Sequence, residues 1–255
     1  MRTAVRTHVG KVRQINEDKA WGGRLAGGLT AVIVADGMGG HRAGEVASAL
    51  AVDSLLQSLA AWDDTVSLEE KTDRIQEMIR KANKLIFETA SLNEEFYNMG
   101  TTVDMALLNG SSLLIGHIGD SRVYRVREGQ LELLTDDHTL VNELAKSGQL
   151  SPEEAANHPR RNVITRALGT DREVDVDVLA LDWAAGDRLL LCSDGLSGLV
   201  EPAMLLAVLE EPDSTLDQQA ETLINLALAA GGDDNVTVAL AADQGEADAT
   251  GGDTA

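Results

Sequence analysis

The chain lacks most of what marks a secreted, membrane-spanning or fibrous protein. Its 255 residues include one cysteine and four prolines, and aromatic residues make up 3%. One cysteine excludes an intrachain disulfide framework and a cysteine-rich zinc site. No apolar run is long enough to cross a bilayer; Leu29 to Ala35 is typical of the longest. The N-terminal stretch Met1 to Gln14 has basic residues but no apolar core of the kind a secretion signal carries, so the expected location is the cytoplasm. Positive charge is scarce as well. Lys and Arg total 21 against 42 Asp and Glu, a net charge of −21, which argues against nucleic acid or an anionic membrane surface as a partner.

Hydrophobic content of 44% and charged content of 25% are ordinary for a globular chain of this length. From Asp243 to Ala255 the chain holds Gly, Ala, Thr, one Gln and acids, with no base and no large apolar residue, and a disordered tail is expected there. The tail holds four acids, so the remainder still carries −17. No linker or fixed-period repeat divides residues 1–242, which reads as one domain.

Strand-like runs include Leu29 to Ala35, Thr102 to Leu108, Leu113 to Ile118 and Asp187 to Cys192. Asn109-Gly110 and Glu128-Gly129 are hairpin turn signals, so neighbouring strands are expected to run antiparallel. Val174, Val176 and Val178 alternate with Asp175 and Asp177, as in a strand with one wet face. Helical periodicity marks Val46 to Leu59, Ile75 to Thr89 and Leu216 to Ala229, the last closed by Gly231-Gly232. Hairpins with long helices and no regular βαβ alternation point to antiparallel sheets covered by helices.

Aspartates fall repeatedly at the tips of these runs. Asp36 follows Ala31 to Ala35, Asp120 follows Leu114 to Gly119, Asp194 follows Leu189 to Ser193, and Asp233-Asp234 precede Asn235 to Val238. Any one Asp-Gly after a strand is an ordinary turn. Several carboxylates sharing a cleft would repel one another unless cations neutralised them, and oxygen-only donors favour Mg²⁺ or Mn²⁺ over Zn²⁺.

With these residues in view, the sequence resembles the metal-dependent protein serine/threonine phosphatases of the type 2C family, in their bacterial form, from about Thr7 to Leu240. The resemblance is carried by Arg13-Gln14-Ile15-Asn16-Glu17-Asp18, Val34-Ala35-Asp36-Gly37-Met38-Gly39-Gly40-His41, Gly100-Thr101-Thr102 and Ile118-Gly119-Asp120-Ser121-Arg122. Asp137-His138-Thr139, Ser193-Asp194-Gly195-Leu196 and Gly232-Asp233-Asp234-Asn235-Val236-Thr237 follow in the family's order. It implies an α+β fold, a four-layer αββα sandwich of two antiparallel sheets flanked by helix pairs.

The resemblance further implies two Mn²⁺ or Mg²⁺ ions, with Asp36 bridging them, the Gly37 carbonyl on one, and Asp194 and Asp234 completing the second site. Glu17 and Asp18 would act through metal-bound water, and Asp120 with Asp194 would hold a third, weaker ion. Arg13 would grip the phosphate, His41 would protonate the leaving alkoxide, and a water bridging the two ions would attack phosphorus in line. Residues 141–169 match the family's flap, where Arg160 and Arg161 are candidates for substrate contact. Phosphorylated Ser/Thr proteins are the implied substrates, a Ser/Thr kinase a possible functional partner, and a monomer the expected state. Two alternatives stand beside it: a catalytically silent binding module, which predicts lost metal ligands although Asp36, Asp194 and Asp234 are present, and a phosphatase for a small phosphorylated metabolite, which the motifs do not exclude.

Overall fold

The computed structural model describes residues 1–39 and 42–243. Gly40, His41 and nearly all of the expected tail therefore lie outside the described residues. The strands are β1 (Arg2–His8), β2 (Lys19–Arg24), β3 (Thr30–Ala35), β4 (Gly37–Met38), β5 (Gly100–Thr101) and β6 (Val103–Asn109). They continue as β7 (Ser112–Ile118), β8 (Arg122–Arg127), β9 (Gln130–Leu133), β10 (Asp177–Asp182), β11 (Arg188–Cys192) and β12 (Val236–Ala242). The helices are α1 (Ala43–Leu59), α2 (Leu68–Leu92), α3 (Leu140–Lys146), α4 (Pro152–Ala156), α5 (Asp194–Ser197), α6 (Pro202–Leu209) and α7 (Leu216–Ala229).

Two antiparallel five-stranded sheets form the centre, in the orders β1-β12-β11-β8-β9 and β10-β7-β6-β3-β2. The side-chain alternation of β3 shows how the layers arise. Val32 and Val34 meet Leu189, Leu191, Ala239 and Ala241 between the sheets. Ala31, Ile33 and Ala35 point the other way, onto Ala47, Ala51 and Leu55 of α1 and Ile75 and Ile79 of α2. On the far side, Leu190, Val238 and Leu240 pack against Leu205 of α6 and Leu223 and Ala227 of α7. Both faces of each central strand are thus apolar, and the result is the expected αββα sandwich. Ile33 is fully buried, so truncating it to Ala should cost about 3 kcal/mol.

The local signals act as their chemistry requires. Glu128 and Gly129 both take positive φ, 51° and 74°, as the tight turn between β8 and β9 demands. Ser67 caps α2 and Thr215 caps α7 by accepting a backbone N–H three residues on. One expectation shifts: the alternating stretch at 174–178 is mostly not a strand, and β10 begins at Asp177. Asp177 is paired with His117, one residue before β7 ends at Ile118, so residues 174–175 run past the end of that strand. Val176 is nonetheless buried, which is the pattern the alternation reported. The helix α6 has no counterpart among the sequence expectations.

Candidate metal centre

Strand register brings the separate motifs to one end of the sandwich. Lys19 pairs with Ala35, which sets Asp18 beside Asp36. His8 pairs with Val236, so the chain leaving β1 toward Arg13 runs beside Asp234 and Asn235. Cys192 pairs with both Val238 and Arg122, which brings Asp194 toward Asp234 on one side and Asp120 on the other. Asp120, Asp194, Asp233 and Asp234 line one cleft of about 580 Å³.

Each element is pinned by hydrogen bonds that cross the molecule. The backbone N–H of Asp36 donates to Thr102 Oγ1 at 2.9 Å, and its carbonyl accepts from Thr102 N at 2.9 Å and from Thr101 Oγ1 at 2.9 Å. Gly37 N donates to the Glu17 carbonyl at 3.2 Å, and Gly44 N at the start of α1 donates to Glu17 Oε1 at 3.1 Å. A side chain at Gly37 would run into the backbone carbonyl of Gly44, so only glycine allows this approach. Asn235 is the hub on the other side. Its Oδ1 accepts from Glu17 N at 2.8 Å, and its Nδ2 donates to the carbonyls of Val9 and Ile15, each at 2.9 Å. Ser193 Oγ donates to Asp18 Oδ2 at 2.8 Å, and Arg13 Nη2 meets Asp234 Oδ2 at 2.7 Å.

The electrostatics fit a cation site. Burial, then the neighbouring carboxylates, pushes the Asp36 carboxyl well above its ordinary range. Burial raises Asp18 to about 7, against hydrogen bonds from Thr237 and Ser193 and with help from Asp194 and Asp234. Burial, Asp194 and Asp137 likewise raise Asp120 to about 7. Asp194 shifts upward through burial and the charge of Asp234, with hydrogen bonding to Asp36 acting against them. Glu17 is raised chiefly by burial. Among the described residues, Asp18 Oδ1 is buried with no hydrogen-bond partner. As the side chains stand, no three His, Cys, Asp or Glu among the described residues are close enough together to hold an ion. The oxygen-only donor set with an orphaned buried carboxylate oxygen suits hard divalent cations.

Of the residues named from the sequence, Glu17, Asp18, Asp36, Gly37, Asp194 and Asp234 are linked here by strand register, hydrogen bonds or mutual charge. Arg13 joins them through Asp234, and Asp120 through Asp194. Arg161 lines the cleft, together with Asn162 and Asp137, whereas Arg160 is not among the described lining residues. His41 lies outside the described residues. Asn235 and Ser193 are the residues whose positioning roles the motif reading missed; each sits inside a recognised motif, which was the available signal. Cys192 is fully buried and burial pushes its thiol far up, as suits a core residue. Arg122 is tied to Asp137 by three contacts of 2.7–3.2 Å.

Comparison with known proteins agrees with this geometry. Residues 7–245 match the family described as protein phosphatase 2C. The chain is 41% identical to a serine/threonine phosphatase stp of Listeria innocua, over 94% of this chain and 95% of that one. It superposes on a solved serine/threonine phosphatase of S. agalactiae with TM-score 0.87 and 40% identity, covering 94% and 98% of the two chains. A second solved structure, the catalytic domain of the serine/threonine phosphatase PstP in complex with two manganese ions, matches with TM-score 0.81 and 38% identity, covering 94% and 96%. With the fold, the strand-end carboxylates and these likenesses in agreement, the chain belongs to the protein phosphatase 2C family.

Proposed function

We propose that this chain is a metal-dependent protein serine/threonine phosphatase that hydrolyses phosphoserine and phosphothreonine in protein substrates. The observation that carries the reading is the oxygen-only carboxylate group assembled from four distant segments at one end of the sheets, with pKa values raised by burial and by one another. Asp36, the Gly37 carbonyl, Asp194 and Asp234 would hold two divalent cations, with Glu17 and Asp18 acting through water and Asp120 with Asp194 holding a third. Bound there, the cations supply positive charge for a phosphate dianion and lower the pKa of water enough to give a nucleophile at neutral pH.

The chain's own residues do the rest. The Arg13 side chain is half exposed and meets Asp234 through Nη2, which leaves its planar fork open to two phosphate oxygens. Thr102, Ser193 and Asn235 fix the backbone or carboxylate positions that this geometry needs. His41 is the proposed donor of a proton to the leaving alkoxide. Arg161, on the cleft wall, is placed to meet the substrate beyond the phosphate. Retention of every carboxylate supports an enzyme over a silent binding module. No helix is long and apolar enough to cross a membrane among the described residues, and we assign the protein to the cytoplasm, as a monomer acting in signalling opposite a Ser/Thr kinase.

Phosphate release from a phosphothreonine peptide tests this reading. Turnover should appear with Mn²⁺ and disappear with chelator. A protein that binds Mn²⁺ and releases no phosphate would refute it.

A further inference from the structure

Helix α1 is apolar beyond its buried side. Ala47, Ala51 and Leu55 are buried against the sheet, while Val46 and Leu50 pack along the edge of the same core and, with Ala49, stay partly exposed. Together with Phe96 these form the floor of a groove of about 830 Å³.

The rim has one sign of charge. Glu45, Asp53, Glu94 and Glu95 line it, against Arg42, which is itself paired with Glu45 at 3.4 Å. Among the described residues no cation pairs with Asp53, Glu94 or Glu95. The other large groove, about 1080 Å³ beside α2, mixes Arg80, Lys84 and Arg172 with Glu88, Glu173 and Asp175, so it selects no charge. Eleven helical steps separate Arg42 from Asp53, roughly 16 Å at the α-helical rise, which accommodates about five residues of extended chain.

The groove also has a direction. Its near end at Glu45 adjoins Gly44, whose N–H donates to Glu17 Oε1 at the carboxylate cluster. A second copy of this chain would bring a net charge of −21 to an acidic rim, so charge complementarity favours a basic partner there over self-association. One polypeptide can lie in the groove and present a phosphorylated residue at the adjoining cluster. We propose that the groove docks a basic, apolar-bearing segment of the phosphoprotein substrate, its cations on Asp53, Glu94 and Glu95 and an apolar side chain on Val46, Leu50 and Phe96. This deepens the phosphatase reading and rests on it.

The test uses the full chain with Mn²⁺ and one phosphothreonine site in three peptides: bare, extended by five Lys, Arg and Leu residues on either side, or extended by Glu, Asp and Leu. Three proteins are compared: the wild type, the groove variant D53K/E94K/E95K, and a control carrying the same charge change on a distant surface, E210K/E211K/D213K. The wild type should show a KM at least fivefold lower for a basic extension than for the bare peptide. The groove variant should lose that preference and the control keep it, with p-nitrophenyl phosphate hydrolysis equal in all three. No preference in the wild type, or equal loss in both variants, would overturn the groove. If p-nitrophenyl phosphate turns over and no phosphopeptide does, the phosphoprotein reading fails instead. Anisotropy with the unphosphorylated basic peptide then judges the groove alone: binding lost in the groove variant upholds it, and absence of binding overturns it.

Discussion

His117 and His138 lie with ring centroids 4.6 Å apart, and their surroundings shift their proton affinities in opposite directions. His117 Nε2 faces the Asp136 carbonyl at 3.0 Å and Nδ1 shares a proton with Asp104 Oδ1 at 2.6 Å, a pairing that favours a proton on the ring. His138 accepts from Gly119 N at 3.0 Å and faces Asp177 at 3.1 Å, as a neutral ring does. Burial works against charge on His117, and the Asp104 carboxylate outweighs it. Burial and the charge of His117 lower His138 to about 4.

The pH dependence of stability follows from these directions. Between about 4 and the ordinary histidine value near 6.5, the unfolded chain protonates His138 and the folded chain does not. Stability from this residue therefore rises with pH across that window and is lost on acidification. His117 has the opposite sign: its contribution is present below about 6.5 and fades as pH rises through its raised value. Urea unfolding of His138→Gln from pH 4 to 7 should show a shallower acid limb than the wild type. An unchanged slope would contradict the assignment.

Carboxylates arranged for cations should destabilise the metal-free protein. Asp18 holds its proton up to about 7 in the folded state and about 3.9 unfolded, so its contribution weakens as pH rises between those values. Asp18→Asn should stabilise the chelator-treated protein at pH 7.5 by about 2 kcal/mol while weakening Mn²⁺ binding. Equal stability of the two metal-free proteins would show that the burial penalty is relieved by other means.

The two flap arginines should separate. Arg161 lines the cleft and Arg160 does not, so Arg161→Ala should raise KM for a phosphopeptide several-fold with little effect on an aryl phosphate. Arg160→Ala should change neither. Equal effects of the two variants would show that the cleft wall is not where they differ.

Arg13 offers a finer test of phosphate binding. Arg13→Lys keeps the charge and loses the planar fork, so kcat/KM should fall about 10-fold or more for peptide and aryl phosphate alike. A loss confined to peptides would move Arg13 from the phosphate to the substrate chain.

Much of this site was legible before the fold because its chemistry sits at strand ends, where short motifs record both the carboxylate and the adjoining glycine. Gly37 shows why: the chain must pass Gly44 and Glu17 there with no room for a side chain. What stayed illegible is the wiring between motifs. Asn235 reaches Glu17, Val9 and Ile15 across more than two hundred residues, and no local pattern encodes such partners. Val174 to Val178 misled for the converse reason, since alternation reports burial and a strand also needs a neighbour to pair with.

The central claim is that the carboxylates around Asp36 exist to hold cations. Calorimetric titration of the metal-free protein and of Asp36→Asn with Mn²⁺ at pH 7.5 tests it most directly, with circular dichroism to show that both are folded. The wild type should bind at least two ions with release of protons, and Asp36→Asn should lose the tight binding while keeping its fold. Unchanged stoichiometry and affinity in a folded Asp36→Asn would contradict the claim.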